Sequence, residues 1–225
     1  MNPDKTTSRV LGAAFLLQAT TAIVSYSILM RALVVPGNIS ESMVKIANNI
    51  SAMRAYILGE MITALGIIFL GAILFLTLRK QNEKIALVAL GFYILEAALL
   101  AASTIAAFSL LGTSQEYVTA GHPGFLQAMG NLALESMNFG FTLHMLAFCV
   151  GAVLFYYLFY KSEIIPRALS LWGLIAVFPC LIGTVLAMFG YQVPFAVYLP
   201  YAPFEFAIGV WILVKGINDV SEIKQ

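Results

Sequence analysis

The chain has 225 residues, of which 61% are hydrophobic and only 10% are charged. Soluble domains carry about half apolar and a quarter charged residues, so this composition excludes an ordinary soluble protein and indicates an integral membrane protein. The formal net charge of +1, without a basic patch that has interleaved aromatic residues, argues against a nucleic-acid partner.

Six apolar runs follow one another along the chain. A helix needs about 20 apolar residues to cross the hydrocarbon layer, where only helices or closed barrels satisfy their backbone groups. The sequence therefore predicts an all-α fold, a polytopic bundle of six transmembrane helices that forms one domain over residues 1–225. The predicted spans cover residues 10–30, 56–78, 85–111, 137–160, 168–189 and 200–214.

The first and last spans need separate comment. The first run is too long for a signal-peptide core of about 7 to 15 residues, so we expect it to be retained. Pro194, Pro200 and Pro203 interrupt the apolar stretch at the sixth span. Because proline breaks helical hydrogen bonding, they favour an irregular or re-entrant entry into this span.

Two of the predicted loops are longer than the others and have distinctive sequences. In the first outer loop, Pro36 to Ala55, apolar residues recur at helical spacing among Asn, Ser and charged residues. This pattern predicts a short amphipathic helix on the outer membrane surface. The third loop, Gly112 to Leu134, is predicted to be the longest stretch without regular structure.

The distribution of cations predicts the orientation. Three of the twelve Lys and Arg residues, Arg31, Lys45 and Arg54, fall in the first outer loop. By the positive-inside rule, the side with the other nine is cytoplasmic, and both termini of this cell-membrane protein lie there. These nine are Lys5, Arg9, Arg79, Lys80, Lys84, Lys161, Arg167, Lys215 and Lys224.

Glu96 is the leading candidate for a functional residue. It lies eleven residues beyond the start of the third span, about 16 Å into the bilayer. Charged groups at that depth are costly and often functional, which suggests a carboxylate that handles a proton or a cation. The alternative is a structural hydrogen bond between helices. Ser103 lies two turns further along the same face.

His144 is predicted at nearly the same depth as Glu96, about 10 Å inside the outer end of the fourth span. Similar depth on successive helices suggests a shared site, and the alternative is a hydrogen-bonded structural histidine. Further polar groups in the outer half suggest a cavity open to the outside, whereas an ion-paired plug, for instance Arg54 with Glu205 or Glu135, is the structural alternative. The candidate cavity residues are Arg54, Glu60, Tyr93, Glu96, Ser103, His144 and Glu205.

The sequence contains no known catalytic template. It lacks the His-Glu-x-x-His, Cys-x-x-Cys and Gly-x-Ser-x-Gly patterns, so no catalytic residue is assigned and we expect no metal and no cofactor. Cys149 and Cys180 fall inside predicted spans and are interpreted as small buried residues. Aromatic residues near the span ends are interpreted as interfacial anchors. These are Tyr156, Tyr157, Tyr160, Trp172, Tyr191, Tyr198, Tyr201 and Trp211.

The second half of the chain resembles a bacterial membrane family. Its stretches LFYYLFYKSEIIPRALSLWGLIA and FEFAIGVWILVKGI, and more loosely the segment that begins YILGEMITALG, are similar to the family of domain of unknown function 4386. The resemblance implies the same membrane fold and carries over no catalytic residue. The family pattern in the third helix resembles Phe-Arg-x-x-Glu, whereas this chain has Phe92, Tyr93 and Glu96. If an Arg neutralises that Glu in the family, Glu96 requires another partner here, for which Tyr93 and His144 are candidates.

Three functions are compatible with these features. The first hypothesis is the binding or transport of a small molecule, ion or lipid through a buried acidic and histidine-containing cavity. An intramembrane enzyme that acts on a lipid-like substrate is the second, and a non-catalytic membrane subunit or sensor with structural polar groups is the third. Membrane lipids are the expected partners in each case, together with a small-molecule or lipid ligand in the first two.

Overall fold

The computed structural model describes residues 5–218, and this range is helical without strands. A π-helical segment, Ile23–Met30, joins the first two α-helices, and a 3₁₀ turn, Phe195–Val197, precedes the last. Lys224, one of the nine cytoplasmic cations, lies outside the described residues. The α-helices are α1 Lys5–Ala22, α2 Arg31–Leu33, α3 Ile39–Asn48, α4 Ile50–Leu78, α5 Glu83–Thr119, α6 Gly124–Ser162, α7 Arg167–Met188 and α8 Ala202–Lys215.

Five helical stretches within the described residues are long and apolar enough to cross a membrane. They are Thr6–Leu33, Ile50–Leu78, Glu83–Thr119, Gly124–Ser162 and Arg167–Met188. Large apolar side chains are exposed on these helices, as expected for surfaces that face lipid rather than water. The prediction of an all-α membrane protein is thus confirmed. Because α8 has only 14 residues, fewer than the roughly 20 that a span needs, the six-span count stays a prediction.

The predicted loop between Gly112 and Leu134 is wrong. Helix α5 continues to Thr119 and α6 begins at Gly124, so only residues 120–123 connect them. Both extensions are helical because they continue to bury apolar side chains: Tyr117 and Leu126 are each 4% exposed. The turn uses left-handed backbone at Gly121 and His122, where the His122 amide donates to the Tyr117 carbonyl.

The described helices fall into two compact units. Residues up to 19, 65–97 and from 142 onward form the first unit, and residues 20–64 and 98–141 form the second. Most of the long helices therefore contribute one segment to each unit. The apolar core of the second unit consists of Met30, Leu33, Met43, Ile46, Met53, Tyr56, Ala107, Leu110, Leu111, Tyr117, Leu126 and Met137.

Helix α3 belongs to this second core. Asn38 caps its start: the Asn38 side chain accepts from the Glu41 amide at 3.1 Å and donates to the Glu41 carboxylate at 3.2 Å. Met43 and Ile46 are fully buried, whereas Lys45 is exposed. The protein itself thus covers the apolar side of α3, and its position at the membrane surface stays a prediction.

In the first unit, α1 and α8 pack with their backbones in close approach. A Cβ added at Gly12 of α1 would lie 2.6 Å from the Leu213 nitrogen and 2.8 Å from the Gly209 carbonyl oxygen. One added at Gly209 of α8 would lie 2.9 Å from Leu16 side-chain atoms. Small residues on both sides permit this approach, which is the usual way for helices to pack in lipid.

Candidate functional site, a buried acid and tyrosine cluster

Tyr93 is held on α5 by two glycines of neighbouring helices. A Cβ added at Gly71 of α4 would lie 2.9 Å from the Tyr93 Cβ, and one added at Gly151 of α6 would lie 2.8 Å from its Cδ2. Phe155 of α6 contacts the Tyr93 ring edge-on, with ring centroids 5.0 Å apart. Only glycine leaves room for the ring at these positions, so the packing sets the place of the Tyr93 side chain.

Two tyrosine hydroxyls connect the surroundings of Tyr93 to a carboxyl group on α8. The Tyr201 hydroxyl donates to Glu205 Oε1 at 3.2 Å. The Tyr156 and Tyr201 hydroxyls are hydrogen-bonded to each other, and Tyr93 lies close enough to Tyr156 for the two side chains to interact. Tyr156 is fully buried and Tyr201 is 7% exposed, so this relay of hydroxyls lies inside the first unit.

Glu96 lies one helical turn beyond Tyr93 on α5, and its side chain is only 4% exposed. It is close enough to Glu205 for the two carboxyl charges to interact. Among the described residues, Glu96 Oε2 has no hydrogen-bond partner. Together Tyr93, Glu96, Tyr156, Tyr201 and Glu205 form what we call the acid–tyrosine cluster.

Aromatic rings surround the cluster. Phe148 contacts Tyr201 edge-on, with ring centroids 4.8 Å apart, and Phe204 contacts Tyr156 at 5.0 Å. The Phe204 ring rests on Gly173 of α7, where an added Cβ would overlap it. Each tyrosine of the cluster therefore packs against a phenylalanine ring.

No lysine or arginine side chain neutralises these carboxyl groups within the described part of the chain. Every Lys and Arg whose side chain the structure describes is exposed, and neither Glu96 nor Glu205 forms an ion pair with one. Glu96 is buried and Glu205 is half-buried, and carboxyl groups in such surroundings are costly when charged without a counter-ion. The arrangement can therefore accept hydrogen bonds or positive charge from a bound group.

The structure brings together three of the predicted site residues: Tyr93, Glu96 and Glu205. His144 is also buried in the first unit, at 8% exposure, and its coupling to Glu96 stays a prediction.

The other three predicted residues belong to the second unit. Glu60 is 4% exposed and interacts with Tyr56 one turn before it. The Ser103 hydroxyl donates to the Leu100 carbonyl at 2.7 Å within its own helix. Arg54 is exposed near the start of α4. None of these three is part of the acid–tyrosine cluster as defined above.

Two members of the cluster were misinterpreted from sequence. Tyr156 and Tyr201 were expected to be interfacial anchors, but both are buried, and this interpretation is wrong for them. It remains compatible with Tyr157 and Trp172, each 41% exposed. Periodicity could have separated Tyr156 from Tyr157 on α6, because buried residues recur there at helical spacing and Tyr156 falls on that face. The buried residues on that face are Phe148, Cys149, Ala152, Phe155, Tyr156 and Phe159.

The cysteines conform to expectation. Cys149 and Cys180 are both free and buried. Each lies near the cluster, since Cys149 interacts electrostatically with Glu96 and Cys180 with Glu205. They add apolar volume beside the carboxyl groups rather than charge.

Comparison with protein families gives a match over residues 10–216, to the family described as domain of unknown function DUF4386. The chain belongs to the DUF4386 family. The resemblance drawn from the sequence is thereby confirmed, and the matched range includes every residue of the acid–tyrosine cluster. Neither the curated proteins nor the solved structures contain a match to the chain.

Proposed function

We propose that this DUF4386 protein binds a small molecule inside the bilayer at the acid–tyrosine cluster, as the recognition step of transport. The observation that carries the proposal is the unpartnered Oε2 of Glu96, 96% buried beside a second carboxyl group. Buried polar atoms are normally hydrogen-bonded, and one that is not calls for a specific reason. A bound ligand that donates a hydrogen bond to Glu96 supplies that reason.

The ion-paired plug is less well supported. Such a plug pairs each buried acid with a buried cation, because the attraction must offset the cost of removing both from water. The described Lys and Arg side chains are all exposed. A purely structural network would also leave no carboxyl oxygen without a donor.

An intramembrane enzyme is likewise less well supported by the contacts of the described residues. The Tyr201 hydroxyl donates to Glu205, and the Tyr156 hydroxyl is hydrogen-bonded to Tyr201. No pair of a free nucleophile and a base within hydrogen-bonding reach emerges from these contacts, and such a pair is the usual signature of nucleophilic catalysis.

We further propose that the protein lies in the cell membrane with six spans and both termini cytoplasmic. Helix α8 then forms a short sixth span after the irregular Pro194 to Tyr201 approach. Helix α3 lies at the outer surface, and lipids contact the exposed apolar side chains of the long helices. The cation distribution and the exposed apolar surfaces support this arrangement.

Mass spectrometry of material that copurifies in mild detergent tests the binding function. We expect a small molecule to accompany the wild-type protein and the control variant Glu135→Gln, whose exposed carboxylate accepts from Asn131. The double variant Glu96→Gln with Glu205→Gln should lose that molecule while eluting as the same species in size exclusion. Retention of the molecule by the double variant would contradict the proposed site, and its absence from the wild-type protein would count against binding.

A further inference from the structure

The proton inventory of the cluster restricts what it can bind. A tyrosine hydroxyl has a single proton to donate. Because Tyr201 uses its proton on Glu205, its contact with Tyr156 requires Tyr156 to donate. Tyr156 has then used its proton as well. Both protons are directed toward Glu205, and neither is left for Glu96.

The cluster thus has a surplus of acceptors. Glu96 Oε2 is buried without a donor, and Glu205 lies within range of its charge. A ligand that fits must donate hydrogen bonds, and a positive charge on it offsets the repulsion between the two carboxyl groups. An anionic group would add to that repulsion.

The surroundings favour an organic cation over a metal ion. Hard metal ions such as Ca²⁺ take six to eight oxygen ligands, and the described residues contain no group of three or more His, Cys, Asp or Glu side chains that could hold a metal. The rings of Phe148, Phe155 and Phe204 instead pack against the tyrosines of the cluster. Aromatic faces attract organic ammonium groups through the charge distribution of the ring.

We infer that the ligand of the acid–tyrosine cluster is a protonated amine with an apolar substituent, held by Glu96 and Glu205 and enclosed by the aromatic rings. The inference rests on the proposed binding function and specifies its ligand. A primary or secondary ammonium meets the need better than a quaternary one, because only the former carries N–H donors for Glu96 Oε2.

Three probes of one shape test the ligand class: 2-phenylethylamine, the neutral 2-phenylethanol and the anionic phenylacetate. Each is titrated into purified wild-type protein in detergent at pH 7, and the shift in melting temperature is recorded. We expect the amine to bind at least about tenfold more tightly than the alcohol, as a charge-assisted hydrogen bond allows. Phenylacetate should produce no shift.

The variants Glu96→Gln and Glu205→Gln, each measured alone, control for partition of the probes into the micelle. Each should lose the amine-specific shift, whereas Glu60→Gln, a buried acid of the second unit, should keep it. Equal shifts from the amine and the alcohol in the wild-type protein would overturn the ligand class and leave the binding function standing. If none of the probes shifts the wild-type protein and nothing copurifies with it, both proposals fail. The wild-type comparison decides the ligand class even if a variant does not fold.

Discussion

At the scale of single residues, the two carboxyl groups of the cluster differ: Glu96 is buried, whereas Glu205 is half-buried. Glu205 receives the Tyr201 hydroxyl, whereas Glu96 Oε2 receives no hydrogen bond from a described residue. The sequence correctly placed Glu96 in the interior of a long helix, α5. It could not identify Glu205 as its neighbour, because the two are 109 positions apart on α5 and α8.

The proximity of the two carboxyl groups can be tested with a lysine. In a Glu205→Gln background, Glu96→Lys should destabilise the protein by about 2.5–3.5 kcal/mol, the cost of a cation at the centre of a span. With Glu205 present, the new ammonium gains a partner and the loss should be clearly smaller. Melting temperatures of the two single variants and the double variant give the coupling directly.

Leu95→Lys is the matched control for this comparison, since Leu95 is 47% exposed on the lipid-facing side of the same helix. Its destabilisation should be the same with Glu205 or Gln at position 205. Equal losses for Glu96→Lys in both backgrounds would show that the two side chains do not meet.

At the scale of helices, glycine positions determine which elements can approach one another. Gly12 and Gly209 allow α1 to contact α8, and Gly71 and Gly151 leave the space that the Tyr93 ring occupies. Without a hydrophobic driving force between helices in lipid, such close packing is a main source of association energy. The same glycines therefore contribute both to the stability of the first unit and to the position of the cluster.

Gly12→Ala should destabilise the protein, because the added methyl meets backbone atoms of α8 that cannot rotate away. We expect a loss of roughly 1–3 kcal/mol, as for other overpacked sites, seen as a lower melting temperature in detergent. Gly91→Ala is the control: Gly91 is helical, and an added Cβ meets nothing within 4 Å. Since alanine favours helix over glycine, this variant should be at least as stable as the wild type. A harmless Gly12→Ala would contradict the close contact of α1 with α8.

At the scale of the whole molecule, the number of spans depends on α8. Five helical stretches satisfy the length of a bilayer, and α8 has only 14 residues after a proline-rich approach. If α8 crosses the membrane, both termini share one side, and if it does not, they lie on opposite sides. The topology of the carboxyl terminus therefore decides between six spans and five.

Reporter fusions provide that test. Fusions after Lys84, Lys161 and Gln225 should behave as cytoplasmic, and a fusion after His122 as external, because the Lys and Arg residues favour the cytoplasmic side. An external reporter after Gln225, with the other three as expected, would reduce the protein to five spans. Inversion at two or more sites would refute the orientation.

The sequence by itself determined the class of protein, because long apolar runs in a lipid solvent leave the backbone few alternatives to a helix. It also located Glu96, since an acid inside such a run stands out without any tertiary information. It could not determine helix ends beyond the bilayer, so α5 and α6 extended into what was predicted as a loop.

Only the tertiary structure decided which polar groups meet. By residue type and by position near a span end, Tyr156 and Tyr201 resemble the exposed Tyr157. They differ from it in the helix face on which each lies. The cluster joins α5, α6 and α8, and its assembly depends on glycines. In a sequence rich in small and apolar residues, these glycines give no sign of that role. Contacts between distant segments arise from packing. Hydropathy and spacing along the chain indicate only how deep a residue lies in the membrane and on which face of its helix.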